Sequence, residues 1–223
     1  MAQSHQLLLK QQHAHFKTAV AVSLALVLAV ILFLVCFGKV GAFIVINNAY
    51  NPPLDYFFQY VTLLGDGLIY IPIVIYSIFF NRKFLVPLIA SIIICTIITH
   101  FLKRVVFPGE LRPFSLELQK IIIHKVEGVP LHRQHSFPSG HTSTAFTTAL
   151  LLASVMRRAI WAYILPLIAF GVGYSRIYLA QHFPTDVCAG MLIGIVSAYL
   201  SLLIYEAWLR KRSQAPGQTQ LKM

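Results

Sequence analysis

The chain has 223 residues, of which 57% are hydrophobic and only 11% are charged, and its mean hydropathy is +0.72. This composition excludes an ordinary soluble domain and indicates an integral membrane protein. The formal net charge of +11 does not indicate nucleic-acid binding, because the basic residues form no stripe with interleaved aromatic side chains.

Six apolar stretches are candidates for crossing the ~30 Å hydrocarbon core of a bilayer. The predicted fold class is therefore all-α: a polytopic membrane bundle of about six transmembrane helices. Residues 1–209 are predicted to form one domain, and the basic stretch 210–223 a disordered cytoplasmic tail. In chain order the predicted spans are 18–40, 68–80, 84–102, 140–156, 159–174 and 184–209.

Basic residues flank the predicted helices on both sides of the membrane. An excess on the side that holds both termini follows the positive-inside rule and predicts cytoplasmic termini. The basic residues on the other side break that rule, which indicates an anionic partner there. They are Lys103, Arg104, Arg112, Lys120, Lys125, Arg133 and Arg176.

Polar residues gather in three segments next to the predicted spans. They are KRVVFPGELRPF at 103–114, HSFPSGHTSTAF at 135–146 and GYSRIYLAQHFPTD at 173–186. With six spans, all three segments emerge on the same membrane face. Polar groups that are distant in sequence but meet at one depth are typical of a functional site.

The first two segments supply groups that suit an anion. Arg112 can contact phosphate oxygens in a bidentate manner, and Lys103 adds a second positive charge. Ser139 and Gly140 open a predicted helix whose free N–H groups attract anions, and His141 at its mouth can exchange a proton near neutral pH. A serine-capped helix start with a solvent-facing histidine is the alternative.

The third segment pairs a histidine with a carboxylate. Asp186 follows His182 by four residues, which is one helical turn. A carboxylate that accepts one imidazole N–H leaves the other ring nitrogen free as a nucleophile. Arg176 adds a third cation that can bind phosphate. A His–Asp pair that only caps the last helix is the alternative.

These residues resemble a known family. Pro138-Ser139-Gly140-His141, followed by Ser175-Arg176, five residues, His182, three residues and Asp186, is similar to the motifs of the type 2 phosphatidic acid phosphatase (PAP2) superfamily, in its bacterial membrane lipid phosphatase branch. The first motif departs from the family pattern of a lysine, six residues and Arg-Pro. Eight residues separate Lys103 from Arg112, and Val105 stands at the family spacing. Lys103 is the predicted cation at this place, with Arg104 as the alternative.

The resemblance implies a mechanism for these positions. His182 would attack phosphorus and form a phosphohistidine, Asp186 would orient it, and His141 would protonate the leaving oxygen. The phosphate would be held by Lys103, Arg112, Ser139, Gly140 and Arg176. The family implies no metal ion and no cofactor.

The resemblance also implies a membrane lipid phosphate as the substrate. Undecaprenyl diphosphate is favoured, and phosphatidylglycerophosphate, phosphatidic acid or a lipid A phosphate are alternatives. A lipid phosphotransferase would use the same site. The hypothesis from another class of protein is a histidine-lined metal or proton transporter, built on His124, His132, His135, His141 and His182. The expected location is the bacterial inner membrane with the site facing the periplasm or cell exterior, and no nucleic-acid partner is expected. The sequence leaves the oligomeric state open.

Overall fold

The computed structural model of the protein describes residues 2–214, with side chains from 13 to 212. Within this part of the chain the regular structure is entirely helical, so the all-α prediction is confirmed. The helices are α1 (Ala2–Asn47), α2 (Pro52–Val61), α3 (Tyr70–Phe80), α4 (Leu85–Phe101), α5 (Gly140–Val155), α6 (Trp161–Tyr178) and α7 (Pro184–Gln214).

Within the described part of the chain, three helical segments are long and apolar enough to cross a membrane: His13–Asn47, Arg82–Val106 and Pro184–Arg212. A fourth candidate is a bent pair, Pro52–Gly65 and Gly67–Phe80, whose halves meet at 60°. This pair, which contains the second predicted span, is either one broken span or a re-entrant loop. It is longer and more irregular than the predicted apolar stretch 68–80. The count of six spans stays a prediction.

α5 is the central helix of the bundle. It packs against α1, α4, α6 and α7, and most of its side chains are buried. Its sequence, GHTSTAFTTALLLASV, is rich in small and hydroxyl-bearing residues, which let neighbouring backbones approach closely. The four neighbouring helices therefore cover most of α5.

Glycines of α7 form the closest part of this packing. A Cβ atom on Gly190 would lie 2.7 Å from the Ser139 carbonyl oxygen, and one on Gly194 would lie 2.5 Å from the Phe146 Cβ. Only glycine fits at either position without movement of α5. The mouth of α5 is thereby held against the first turns of α7.

We expect Gly194→Ala to destabilise the bundle. The added methyl group forces α5 and α7 apart, and overpacking of this kind costs about 1–3 kcal/mol. Thermal unfolding in detergent should show a midpoint lowered by several degrees. Gly171→Ala is the matched control, because its new Cβ would meet nothing closer than 4.0 Å. Equal midpoints for the two variants would contradict the close packing.

α1 extends beyond its predicted end. It kinks at Gly38, whose φ of 68° and ψ of 174° are not helical, and then continues to Asn47. The buried Asn47 side chain donates to the carbonyl oxygens of His124 and Tyr178 and accepts from the His124 N–H. Asn47 therefore fastens the end of α1 to the end of α6 and to the loop that follows residue 120.

α7 also runs further than predicted, to Gln214. The first five residues of the predicted tail are thus helical. Residues 215–223 lie outside the described residues, so the predicted disorder of the tail stays a prediction there.

Candidate active site

The three polar segments meet around one cavity of about 520 Å³. Lys103 comes from the π-helical turn Leu102–Val106 after α4, and Arg112 from the loop beyond it. The N-terminus of α5, the last turn of α6 and the residues before α7 also contribute to the wall. Of the eight predicted site residues, six line the cavity: Lys103, Arg112, Gly140, His141, Arg176 and His182.

Asp186 lies directly behind His182. His182 Nδ1 is 3.2 Å from Asp186 Oδ2, and the two side chains are 2% and 1% exposed. The same carboxylate accepts hydrogen bonds from the Phe183 N–H and the Ser136 hydroxyl. Because Nδ1 faces Asp186, the other ring nitrogen, Nε2, is the one left free for chemistry.

Burial sets the charge of His182. Desolvation lowers the pKa of His182 to about 3, although the Asp186 carboxylate works in the opposite direction. The imidazole is therefore neutral near pH 7. A neutral ring whose Nδ1–H points at a carboxylate presents an unprotonated nitrogen, as a nucleophile requires.

Ser139 caps α5. Its side-chain oxygen accepts from the Thr142 hydroxyl at 2.9 Å and from the Thr142 N–H at 3.5 Å, and the Ser139 N–H donates to the Asp186 carbonyl oxygen. The residue is fully buried behind the cavity wall. The predicted helix start is therefore present, while contact between the Ser139 hydroxyl and phosphate stays a prediction.

Three cations face the cavity without a carboxylate partner. Among the described side chains, no ion pair within 4.0 Å involves Lys103, Arg112 or Arg176. Arg176 is also largely buried, and its Nε–H has no hydrogen-bond partner. Unpaired charge in a buried place is costly unless an anion compensates it. The cavity thus has the electrostatic character of an anion site.

The structure distinguishes the two candidate cations of the first motif. Lys103 lines the cavity, whereas Arg104 is exposed and does not. Val105, which stands at the family spacing, is 64% exposed. The wide π-helical turn and the loop from Phe107 to Leu111 accommodate the longer spacing.

Gln181 is a cavity residue that the sequence reasoning missed. Its Oε1 accepts from Arg112 Nη1 at 3.1 Å and from Arg176 Nη2 at 3.4 Å, and its Nε2 donates to the Pro130 carbonyl oxygen. One amide therefore orients both guanidinium groups. Its position directly before His182 was the available signal, but glutamine has no charge or motif that marks such a role.

We expect Gln181→Leu to reduce kcat/KM about 10-fold or more. Leucine has similar volume but offers no acceptor to the two arginines, so each guanidinium group loses one of the hydrogen bonds that orient it. Steady-state phosphate release would measure the loss. Gln59→Leu is the matched control, because Gln59 also lines the cavity but its side chain donates to the Glu127 carbonyl oxygen instead of contacting the arginines by a hydrogen bond. A rate within twofold of wild type for Gln181→Leu would contradict the orienting role.

α2 and the loop after Glu127 form the rest of the wall, which the motifs did not predict. Thr62 accepts a hydrogen bond from Arg176 Nη1 at 2.8 Å. The remaining lining residues are Gln59, Leu63, Gly128, Val129, Pro130, His132 and Leu179.

The five histidines of the transporter hypothesis do not form one metal site. His124 stacks on Tyr50 and contacts Asp55, and His135 lies on an exposed loop. Among the described residues, no three His, Cys, Asp or Glu side chains are placed to share a metal ion. His132, His141 and His182 line the cavity together with the three cations, which would repel a metal ion.

A shallower cavity of about 400 Å³ adjoins the first one. The two cavities share Arg112 and His132. The lining of this second cavity, called the outer cavity below, includes no carboxylate. Its other residues are Arg133, Gln134 and His135.

The comparisons with known proteins point to one family. The PAP2 superfamily model matches residues 84–210. An undecaprenyl-diphosphatase of Sulfolobus acidocaldarius is 30% identical over 74% of this chain and 78% of its own length. A lipid A 4'-phosphatase of Porphyromonas gingivalis is 24% identical over 78% of this chain and 75% of its own.

Two solved structures share the architecture. The crystal structure of Aquifex aeolicus LpxE superposes with a TM-score of 0.64 at 38% identity, over 74% of this chain and 94% of that one. A PAP2-type phosphatidylglycerolphosphate phosphatase from Bacillus subtilis has a TM-score of 0.52 at 20% identity, over 88% and 96%, and supports the fold alone. The family match, which includes all three cavity segments, confirms the resemblance seen in the motifs: the chain belongs to the PAP2 superfamily.

Proposed function

We propose that the protein is an integral-membrane lipid phosphatase that removes a terminal phosphate or diphosphate group. The observation that carries this proposal is the buried His182–Asp186 pair, which presents a neutral ring nitrogen to a cavity with three unpaired cations. A nucleophile beside an anion site is what phosphoryl transfer requires. The relatives named as lipid phosphatases support the same reaction.

The reaction proceeds in two steps. In the first, His182 Nε2 attacks the terminal phosphorus, and the bond from that phosphorus to the leaving oxygen breaks. The leaving oxygen belongs to the lipid alcohol or, for a diphosphate, to the lipid monophosphate, and it takes a proton from His141. In the second, water attacks the phosphohistidine, gives a proton to His141, and releases inorganic phosphate with neutral His182. Asp186 keeps the nucleophilic ring in one tautomer throughout.

The cavity supplies the charge stabilisation that this transfer needs. Lys103, Arg112 and Arg176 face the phosphoryl oxygens, and the N-terminal N–H groups of α5 at Gly140 and His141 add a partial positive charge. Preorganised positive charge of this kind stabilises the transition state without reorganisation.

Undecaprenyl diphosphate is the favoured substrate. The name of the Sulfolobus relative supports this choice. The outer cavity supports it as well, because Arg112 and Arg133 offer positive charge beyond the space that one phosphate occupies. Phosphatidylglycerophosphate, phosphatidic acid and lipid A phosphates are the competing substrates.

We place the protein in the bacterial inner membrane with the cavity facing the periplasm or cell exterior. α5 and α7 begin at the cavity, and their other ends lead to Arg157, Arg158 and Arg210–Arg212. α4 begins directly after Arg82 and Lys83 and ends toward the cavity. Basic residues concentrated at the end opposite the cavity indicate that this end is cytoplasmic.

Phosphate release from defined lipids tests the proposal. Purified protein would be given undecaprenyl diphosphate, phosphatidylglycerophosphate, phosphatidic acid and a lipid A phosphate, with His182→Ala in parallel. Release from at least one lipid by wild type but not by the variant is expected. An added lipid alcohol that becomes phosphorylated would instead identify a phosphotransferase. No release from any lipid would refute the phosphatase proposal.

We expect chelation to leave the rate nearly unchanged. The three cations and the start of α5 already supply positive charge at the phosphate, so EDTA has no required ion to remove. Orthovanadate, which imitates phosphate, is expected to inhibit. A rate that falls at least 10-fold in EDTA and returns with added divalent cation would contradict this prediction.

A further inference from the structure

The turn between α2 and α3 lies directly against His141. A Cβ atom on Gly65 would lie 2.7 Å from the His141 carbonyl oxygen and 3.0 Å from the His141 Cβ. Gly65 is buried, and only a residue without a side chain permits this approach. The next residue, Asp66, is thereby held beside the imidazole of His141.

The two carboxylate oxygens of Asp66 have different surroundings. Oδ1 accepts a hydrogen bond from the Leu68 N–H at 2.9 Å and caps the following turn. Oδ2 lies 3.8 Å from His141 Nε2. One oxygen therefore fixes the carboxylate to the backbone, and the other faces the imidazole.

Asp66 also opposes the other charges that act on His141. Burial disfavours a positive imidazole most strongly, and the three cavity cations, Arg176, Lys103 and Arg112, act in the same direction. Asp66 acts in the opposite direction and favours the positive form. A general acid must carry its proton when the leaving oxygen departs. Without the Asp66 charge, burial and the three cations would disfavour a protonated His141 still more.

We propose that Asp66 is a positioning residue that holds the His141 imidazole in place and favours its protonated form. This inference rests on the proposed phosphatase function. The protein then contains two His–carboxylate pairs, one in which the histidine stays neutral and one that favours a protonated histidine. The His182 ring is 2% exposed and stays neutral beside Asp186. The His141 ring is 31% exposed and lies beside Asp66, whose charge favours a proton on it.

Asp66→Asn removes the negative charge of the side chain but keeps its capping hydrogen bond. Asparagine is as good an N-cap as aspartate and has the same size, so the turn keeps its hydrogen bond to Leu68. Asp66→Ser caps the turn with a hydroxyl and provides a second variant without charge. Asp66→Glu restores the charge. Glu117→Gln is the matched control, because it removes an acidic charge that pairs with Lys125 and does not line the cavity. Thermal unfolding would verify that each variant is folded.

Two readouts separate this role from a structural one. For a lipid phosphate, whose alkoxide or phosphate leaving group needs a proton, kcat of Asp66→Asn is expected to fall about 10-fold or more, with KM within about twofold. The alkaline limb of its pH–rate profile is expected to move to lower pH. For p-nitrophenyl phosphate, whose leaving oxygen departs without a proton, the loss is expected to be under threefold, and His141→Ala should show the same selectivity. Asp66→Glu should recover part of the lipid rate.

Equal losses on both substrates, an unmoved alkaline limb, or a lipid rate equal to wild type would overturn the role of Asp66. These outcomes concern only the variants. Failure of the proposed function would appear differently, as absent phosphate release by the wild-type protein, and would remove the basis of this inference too.

Discussion

Replacing His182 by alanine is expected to abolish phosphate release from every lipid that the wild-type protein hydrolyses. No other described histidine has both a buried carboxylate partner and a place on the cavity wall. Removing the nucleophile of a covalent mechanism costs about 10⁴-fold or more in kcat, because the remaining cations can bind phosphate but cannot form the intermediate. Phosphate release by purified protein in detergent or vesicles measures the loss.

His100→Ala is the matched control for this experiment. His100 lies near the end of α4, is exposed and does not line the cavity. It should keep the wild-type rate. Acid-labile labelling of wild-type protein with a ³²P-labelled lipid, absent in His182→Ala, would support the phosphohistidine. If His182→Ala retained more than a tenth of the wild-type rate while folding normally, His182 would not be the nucleophile.

Asp186→Asn is expected to give the second largest effect, a drop in kcat of about 10³–10⁴-fold. Asparagine fills the same space, but its amide group cannot provide the negative charge that orients the Nδ1–H of His182. The ring can then adopt the tautomer whose proton faces the phosphorus, and attack fails. KM should change much less, since Asp186 lies behind the cavity wall and the cations that bind phosphate stay in place.

Stability should also fall in Asp186→Asn, because the same carboxylate accepts from the Ser136 hydroxyl and the Phe183 N–H. Ser136→Ala is the comparison that separates the two effects. It removes one hydrogen bond to Asp186 but leaves the charge and the His182 contact. We expect Ser136→Ala to lower the unfolding midpoint with at most about a 10-fold loss of kcat. Equal kcat losses in the two variants would show that positioning, and not charge, is what Asp186 supplies.

Local chemistry explains why the contact between His182 and Asp186 could be predicted from the sequence. His182 lies two residues before α7 and Asp186 lies in its first turn, so the two side chains meet within one five-residue segment. Ser139 was predicted at a helix start for the same local reason, and it does cap α5. The motif does not show that the Ser139 hydroxyl is buried behind the cavity wall, where it accepts hydrogen bonds from Thr142.

The surroundings of the pair required the tertiary structure. Thr62 and Arg176 are 114 positions apart, and Gln181 contacts Arg112 across 69. Neither pairing has a period or a spacing that the sequence displays. The preference for Lys103 over Arg104 also required the tertiary structure. Both residues stand on one turn, and only the packing of that turn decides which of them reaches the cavity.

The sequence by itself determined the membrane class, the all-α fold, the family and the residue types of the anion site, because apolar run lengths and short motifs are local properties. The tertiary structure alone decided that α5 lies at the centre of the bundle, that the turn at Gly65 touches His141, and that Asp66 faces its imidazole. These contacts follow from how small residues allow distant helices to approach, and that approach is a property of the packed bundle and not of any one segment.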